Sequence, residues 1–286
     1  MLGVIGGSGL YDLPGLEAVE EIHPDTPYGP TSAPIVCGTL GGQEICFLPR
    51  HGIGHTLNPS EIPFRANVFA LKSIGVSHLL SVSAVGSLRD HLPPGTMLLP
   101  DQIIDRTIGR DRTFFEHGVV GHVGLADPFC GSFQEYIREA ASSVDQSVVA
   151  GGTYICIEGP QFSTRAESQL YRTWNADVIG MTAMPEARLA REAGLCYAIL
   201  ATVSDYDVWH ESEEDVSIEV VMRVLADNVE RSKRLVLEIA AQPLPGCAHG
   251  CAAAPAQAIT THRDAIPEDR QRILGVLTSR STRPDK

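Results

Sequence analysis

A chain of 286 residues, 43% hydrophobic and 20% charged, can bury a substantial core as one large α/β domain or two small ones, which excludes general disorder. Thirty-five Asp and Glu against 22 Lys and Arg leave a net charge of −13, so a nucleic-acid backbone or an anionic bilayer is repelled over most of the surface. No apolar run approaches the ~20 residues of a membrane span and no basic leader precedes the first strand, so the expected location is the cytoplasm.

Short β-rich runs alternate with longer amphipathic ones, the pattern of strands interleaved with helices. In chain order, strands are expected at residues 2–5, 44–48, 79–83, 154–157, 178–181 and 197–203, and helices at 62–74, 131–144, 163–174, 185–193 and 218–241. Pro185 and Glu186 suit a first helical turn, where proline loses no hydrogen bond and an acid faces the positive end of the dipole, and Gly194 fits the stop. The fold class is α/β, a single domain with a central mixed, largely parallel sheet flanked by helices. No linker or composition break interrupts residues 1–242, and 243–286 reads as a C-terminal extension with an irregular stretch at 243–257 and a short helix at 267–279.

Seven cysteines, an odd number in a chain this long, do not suggest a secreted disulfide scaffold. Cys37, Cys46 and Cys156 lie in or beside apolar strands and are expected as buried thiols. Cys247 and Cys251 flank His249 in the irregular stretch. A tetrahedral metal site takes four ligands and this segment supplies three, so a local disulfide or plain thiols are expected there.

The first strand runs into Gly6-Gly7-Ser8-Gly9, a turn whose glycines let backbone N–H groups approach an anion and whose hydroxyl adds a donor. It lacks the third glycine of a dinucleotide fingerprint, the Gly-Lys-Ser/Thr of a Walker loop and the final glycine of a nucleophile elbow. Arg50-His51-Gly52 follows the second expected strand, Ser83-Ala84 closes the third and Met181-Thr182 closes the fifth. Ligands of open α/β sheets gather at the carboxyl ends of strands, so Ser8, Arg50, Ser83 and Thr182 are the expected seat of one tetrahedral oxyanion, with one fixed positive charge and three neutral donors. Ser204-Asp205-Tyr206-Asp207 follows the last strand. A single Asp there would serve as a turn former or helix cap. Two acids two residues apart in extended chain can share a face, where repulsion and burial raise the pKa of at least one and make it a general acid.

The runs Val4-Ile5-Gly6-Gly7-Ser8-Gly9-Leu10, Asp25-Thr26-Pro27, Arg50-His51-Gly52 with His55-Thr56, Ser83-Ala84-Val85-Gly86-Ser87 and Asp127-Pro128-Phe129-Cys130 recur in one family. So do Ile157-Glu158-Gly159-Pro160, Thr164-Arg165-Ala166-Glu167, Met181-Thr182 with Pro185-Glu186, and Asp205-Tyr206-Asp207. Taken in unbroken order they resemble the purine nucleoside phosphorylase and methylthioadenosine phosphorylase family over residues 1–241.

The resemblance implies the nucleoside phosphorylase fold and a homotrimeric enzyme that cleaves methylthioadenosine with inorganic phosphate as co-substrate. It implies no metal or organic cofactor, and small-molecule partners rather than nucleic acid or membrane. By motif, Ser8, Arg50, His51, Ser83 and Thr182 would hold phosphate with Ala84 close by, and Met181 would lie under the ribose. Phe162 would stack by the base, while Asp205 and Asp207 would meet its N7 and 6-amino edge, Asp205 as the proton donor. Ile218, Val221 and Met222 would form a methylthio pocket closed by His122 of the partner subunit. Relatives acting on inosine and guanosine place asparagine where Asp205 stands and offer a histidine where Ile218 stands. Methylthioinosine members share the run Gly180-Met181-Thr182-Ala183-Met184-Pro185-Glu186, so methylthioinosine, inosine or guanosine is the alternative substrate. His51 and His55, spaced as H-x-x-x-H, are expected to serve phosphate or a subunit contact rather than a metal. Thermophilic relatives bridge positions matching Cys130 and Cys196, and a C-terminal helix folds over the site in relatives, which makes 266–279 an expected lid.

Overall fold

The computed structural model describes residues 1–7, 9–10, 13–210 and 218–279, with the backbone alone at 218–221. Along the chain these form β1 (Leu2–Gly6), β2 (Glu17–Ile22), β3 (Ile35–Leu40), β4 (Gln43–Pro49), α1 (Phe64–Ser73), β5 (His78–Ser87), β6 (Met97–Leu99) and β7 (Gln102–Arg106). There follow α2 (Gly131–Ser143), β8 (Val148–Ala150), β9 (Thr153–Ile157), α3 (Arg165–Thr173), β10 (Val178–Gly180), α4 (Ala183–Glu192), β11 (Cys196–Tyr206), α5 (Ile218–Ala240), α6 (Ala254–Ala258) and α7 (Glu268–Thr278).

The strands make one mixed 11-stranded sheet with the path β2-β3-β4-β1-β5-β10-β9-β7, while β11 joins β5 to β6 and β6 carries β8. Its centre is parallel, with β1 beside both β4 and β5, and β11 beside β5. Parallel strands covered on both faces are apolar throughout, and every residue of β1 is buried. The period-2 alternation of β11 feeds two layers. Tyr197, Ile199, Ala201 and Val203 pack with residues of α1, α4 and α7, whereas Cys196, Ala198 and Leu200 pack with residues of α2 and α5. Helix α3 begins with a capping box, in which Thr164 Oγ1 accepts from Glu167 N–H and the Glu167 carboxylate accepts from Thr164 N–H.

All six expected strands and all expected helices are present, with differences that bear on the site. Strand β5 runs four residues beyond its expected end, and β11 three, so Asp205 lies within a strand, next to a bulge between Val203 and Asp205. Strands β2, β3, β6, β7 and β8 were not anticipated. β2 is a solvent-facing edge rich in glutamate, and β6 and β8 have three residues each, too few to show a period. Cys37 and Cys46 face each other across β3 and β4 and are joined by a disulfide, which corrects the expectation of thiols. Cys130, Cys156, Cys196, Cys247 and Cys251 are free, so neither Cys130 with Cys196 nor Cys247 with Cys251 forms a bridge.

The extension is more ordered than its composition suggests, with a 3-10 turn at Cys251–Ala253 leading into α6. Ile266, Ile273, Leu274 and Leu277 join the same core as Phe64, Val68 and Phe69 of α1. Helix α7 thus packs against α1 within its own chain.

Candidate active site

Strand β5 changes partners along one edge. β1 runs parallel to it from His78 to Ser81, antiparallel β10 takes over at Gly86 and Ser87, and β11 holds the opposite edge along the whole strand. Val82, Ser83, Ala84, Val85 and Gly86, at this changeover, line a cavity of about 720 Å³. The same cavity is lined by Arg50, His51, Phe162, Met181, Thr182, Asp205 and Asp207, so one gap in the sheet gathers most of the expected site residues. No described residue of the extension borders it.

At the anion end, the backbone of Arg50 is tied to β1 by its N–H donating to Gly6 O at 2.9 Å. Its side chain is 2% exposed. Nε donates to Glu186 Oε2 at 3.0 Å, Nη1 to Val82 O at 3.1 Å, and Nη2 to Ile5 O, Ser81 Oγ and Glu186 Oε1 at 3.2, 2.6 and 3.3 Å. Of the five guanidinium N–H groups, the second on Nη1 makes none of these bonds and is the one available to a ligand. Burial works against the charge, but Glu186 more than offsets it and keeps the guanidinium protonated. Glu186 is fully buried and also accepts from Tyr197 Oη at 2.8 Å. The expected lone positive charge is therefore one half of a neutralised pair, and Glu186 is a structural acid rather than a helix-dipole ornament. Ser83 Oγ and Thr182 Oγ1 stand 3.1 Å apart beside it, both buried. Ser8 lies outside the described residues.

His51 Nδ1 is 2.9 Å from Leu57 O, and a carbonyl can only accept, so Nδ1 carries the proton. Burial, then the charges of Arg50 and His55, push its pKa down to about 4. At neutral pH its Nε2 is thus a lone-pair acceptor, suited to the P–OH of hydrogen phosphate rather than to a bare phosphate oxygen. His55 stacks on it with ring centroids 4.3 Å apart.

At the other end, Asp205 pairs with Gly86, three residues beyond Ser83 along β5, roughly 10 Å away at the ~3.3 Å rise of a parallel strand. Ser204 Oγ donates to Asp205 Oδ2 at 2.6 Å. Asp207 Oδ2 is buried with no hydrogen-bond partner among the described residues, and burial raises its carboxyl above the ordinary aspartate range. Of the two causes expected, burial and mutual repulsion, burial is the one that acts, with Ser168 and the Val208 amide opposing it. A side chain at Gly86 would put its Cβ 3.2 Å from Asp205 Oδ1 and 3.5 Å from Asp207 Cβ, so glycine lets both acids close over the strand. Gly180 is needed for a similar reason, because a Cβ there would sit 1.9 Å from Tyr154 Oη.

Phe162 is on the lip and 83% exposed. Met222 is exposed and does not border the cavity, whereas Leu225, one turn further along α5, does. His122 is exposed and its N–H donates to Ala258 O, away from the cavity of its own chain. The side chains of Ile218 and Val221 lie outside the described residues. Sequence reasoning gave Glu186 only a helix-dipole role and placed none of Glu186, Ser204 and Leu225 in the site. Glu186 carried a signal, an acid set among the apolar residues Ala183, Met184, Ala187 and Leu189 at the start of a buried helix.

An α/β sheet whose cleft sets a buried arginine and two hydroxyls opposite a carboxylate pair has the chemistry expected of a group-transfer enzyme, and the profile of the phosphorylase superfamily matches residues 1–241. The chain belongs to that superfamily. It is 49% identical over 280 residues to the S-methyl-5'-thioadenosine phosphorylase of Chloroflexus aurantiacus, covering 98% of this chain and 97% of the relative. The enzyme of the same name from Koribacter versatilis is 48% identical over 277 residues, covering 96% and 94%. Among solved structures, a methylthioadenosine phosphorylase from an antarctic soil metagenomic library superposes with a TM-score of 0.92 at 44% identity, covering 96% of this chain and 98% of that one. A mutant adenosine/methylthioadenosine phosphorylase of Schistosoma mansoni in complex with methylthioadenosine gives 0.79 at 36% identity, covering 84% and 90%.

Proposed function

We propose that the protein catalyses phosphorolysis of 5′-methylthioadenosine to adenine and 5-methylthioribose 1-phosphate. The observation that carries this reading is one cavity with the Arg50, Ser83 and Thr182 donors at one end and the Asp205 and Asp207 carboxyls roughly 10 Å off, a span that a pentose and a purine together bridge. Met181 also lines the cavity and, on this reading, lies under the ribose. Phosphate is held by the free N–H of Arg50 Nη1, by the Ser83 and Thr182 hydroxyls and by the lone pair of His51 Nε2, which takes the P–OH.

A phosphate oxygen attacks C1′, the C1′–N9 bond breaks, and its electron pair passes into the purine, where a proton from Asp205 settles on N7. The cationic sugar is stabilised by the adjacent phosphate, and much of the rate comes from holding nucleophile and nucleoside in register. A phosphate seat whose only cation among the described residues is already paired with Glu186 leaves the nucleophile's charge largely available for attack. No metal or organic cofactor enters the reaction. The same reading makes the enzyme a cytoplasmic homotrimer in purine and methionine salvage. It is supported by the absence, among the described residues, of a helix long and apolar enough to cross a membrane, and by exposed Ile108 and Val120 in the stretch leading to His122.

A second reading, a methylthioinosine, inosine or guanosine phosphorylase, is favoured by Asp207. Burial raises its carboxyl and so enlarges the protonated fraction, and a protonated carboxyl donates to a 6-oxo group, which a carboxylate cannot do. The test is a panel of methylthioadenosine, adenosine, methylthioinosine and inosine, with base release followed by ultraviolet absorbance with and without phosphate. Strictly phosphate-dependent release, fastest with methylthioadenosine, is expected. Release without phosphate, or preference for the 6-oxo bases, would overturn the first reading.

A further inference from the structure

Away from the cavity, four of the five free cysteines converge from distant parts of the chain. Cys130 is the N-cap of α2, Cys196 opens β11, and Cys247 and Cys251 come from the extension. Their Sγ atoms all lie within 4.8 Å of one another, with those of Cys130 and Cys247 at 3.8 Å. Zn–S bonds of ~2.3 Å in a regular tetrahedron give sulfur–sulfur edges of about 3.8 Å, so four sulfurs at this spacing suit one common ion. A pair of disulfides would require two contacts of ~2.05 Å.

Two of the sulfurs accept hydrogen bonds from nearby N–H groups. Cys251 N–H donates to Cys247 Sγ at 3.5 Å, and Arg191 Nη1 donates to Cys251 Sγ at 3.3 Å. Such bonds orient metal-bound sulfurs, and the guanidinium offsets part of the net −2 charge that four thiolates leave on a divalent ion. Cys247 and Cys251 have the C-x₃-C spacing of zinc ligands, and Gly250 at φ 63° turns the chain between them. Cys130, Cys196 and Cys251 are buried in one apolar layer, with Cys247 packed against it. His249 is not part of the set, since its ring rests over Gly131, where a Cβ would lie 2.7 Å from Nε2.

We propose that Cys130, Cys196, Cys247 and Cys251 hold one structural zinc ion that fastens the extension to the start of α2 and of β11. This departs from the expectation of thiols or a local disulfide, which counted only ligands within the extension and so stopped at three. Binding exchanges the S–H protons for the metal, so affinity falls on acidification.

The experiment uses the full chain, purified with reductant and without chelator. Elemental analysis should find about one zinc per chain, the stoichiometry of a closed four-ligand site. After exchange, cobalt(II) should show intense thiolate-to-metal charge-transfer bands together with the visible bands of tetrahedral coordination. Cys247→Ser with Cys251→Ser should abolish both signals while circular dichroism reports a folded chain. Should that double variant fail to fold, the cobalt spectrum of the unmodified protein still decides. Failure of the reduced protein to take up either added zinc or cobalt, or full retention of the metal by a folded double variant, would overturn the proposal.

Discussion

At the anion end of the cavity, Arg50 has all but one of its donors engaged before any ligand arrives, whereas at the base end Asp207 keeps a buried carboxylate oxygen without a partner among the described residues. The first arrangement spreads the cost of burying a charge over Glu186, Ser81 and the strand carbonyls of Ile5 and Val82, and leaves a rigid seat. The second leaves a desolvation cost that Ser168 and the Val208 amide offset only in part, so an arriving base can relieve more of it. A seat for a ligand common to every turnover can be complete in advance. A reader of substrate identity gains discrimination by being incomplete.

The largest effect should come from undoing the completed end. Glu186→Gln leaves the Arg50 charge buried without its counter-ion and should cost about 3 to 5 kcal/mol in urea unfolding, with a raised KM for phosphate in whatever enzyme remains folded. An unchanged midpoint would show that the pair is not the foundation of the seat. Gly180→Ala drives a Cβ into the Tyr154 hydroxyl and should cost about 1 to 3 kcal/mol, part of which Tyr154→Phe in the same chain should restore. At the incomplete end, Asp205→Asn should lower kcat/KM for methylthioadenosine at least about tenfold and improve 6-oxopurine use relative to it. Kinetics on both bases unchanged from those of the unmodified enzyme would remove Asp205 from the chemistry.

The smallest effect is a pH dependence of choice. Burial raises the Asp207 carboxyl, so its protonated fraction grows as pH falls, and the ratio of 6-oxo to 6-amino turnover should climb on acidification. Asp207→Asn should flatten that ratio. A ratio that stays level in the unmodified enzyme would mean that Asp207 does not face the 6-position.

The buried parallel strands were legible because apolar runs such as Leu2 to Ile5 and Tyr197 to Val203 have one reading at that length. The edge strand β2, with its exposed glutamates, and the three-residue β6 and β8 carry too little of that signal. Arg50, Ser83 and Thr182 could be placed together because each follows or closes a recognisable strand. The Arg50 to Glu186 pair, 136 residues apart, could not, since a helix-start acid has an adequate local explanation. The four-sulfur cluster was obscured similarly, as Cys130 and Cys247 are 117 residues apart and only folding brings them together. Local pattern identified elements and individual donors. It did not show which charges cancel or which sulfurs converge.

The handover on β5 from β1 to β10 leaves the middle of the most central strand without a neighbour on one side. Main-chain amides directed toward that opening rely on what enters the cleft for protection, although the surrounding fabric is the firmest in the molecule. Deuterium uptake at Ala84, whose amide faces the opening while Ser83 and Val85 face β11, should therefore report occupancy sensitively, as a faint seam in an otherwise closed weave that nucleoside and phosphate stitch shut at every turnover.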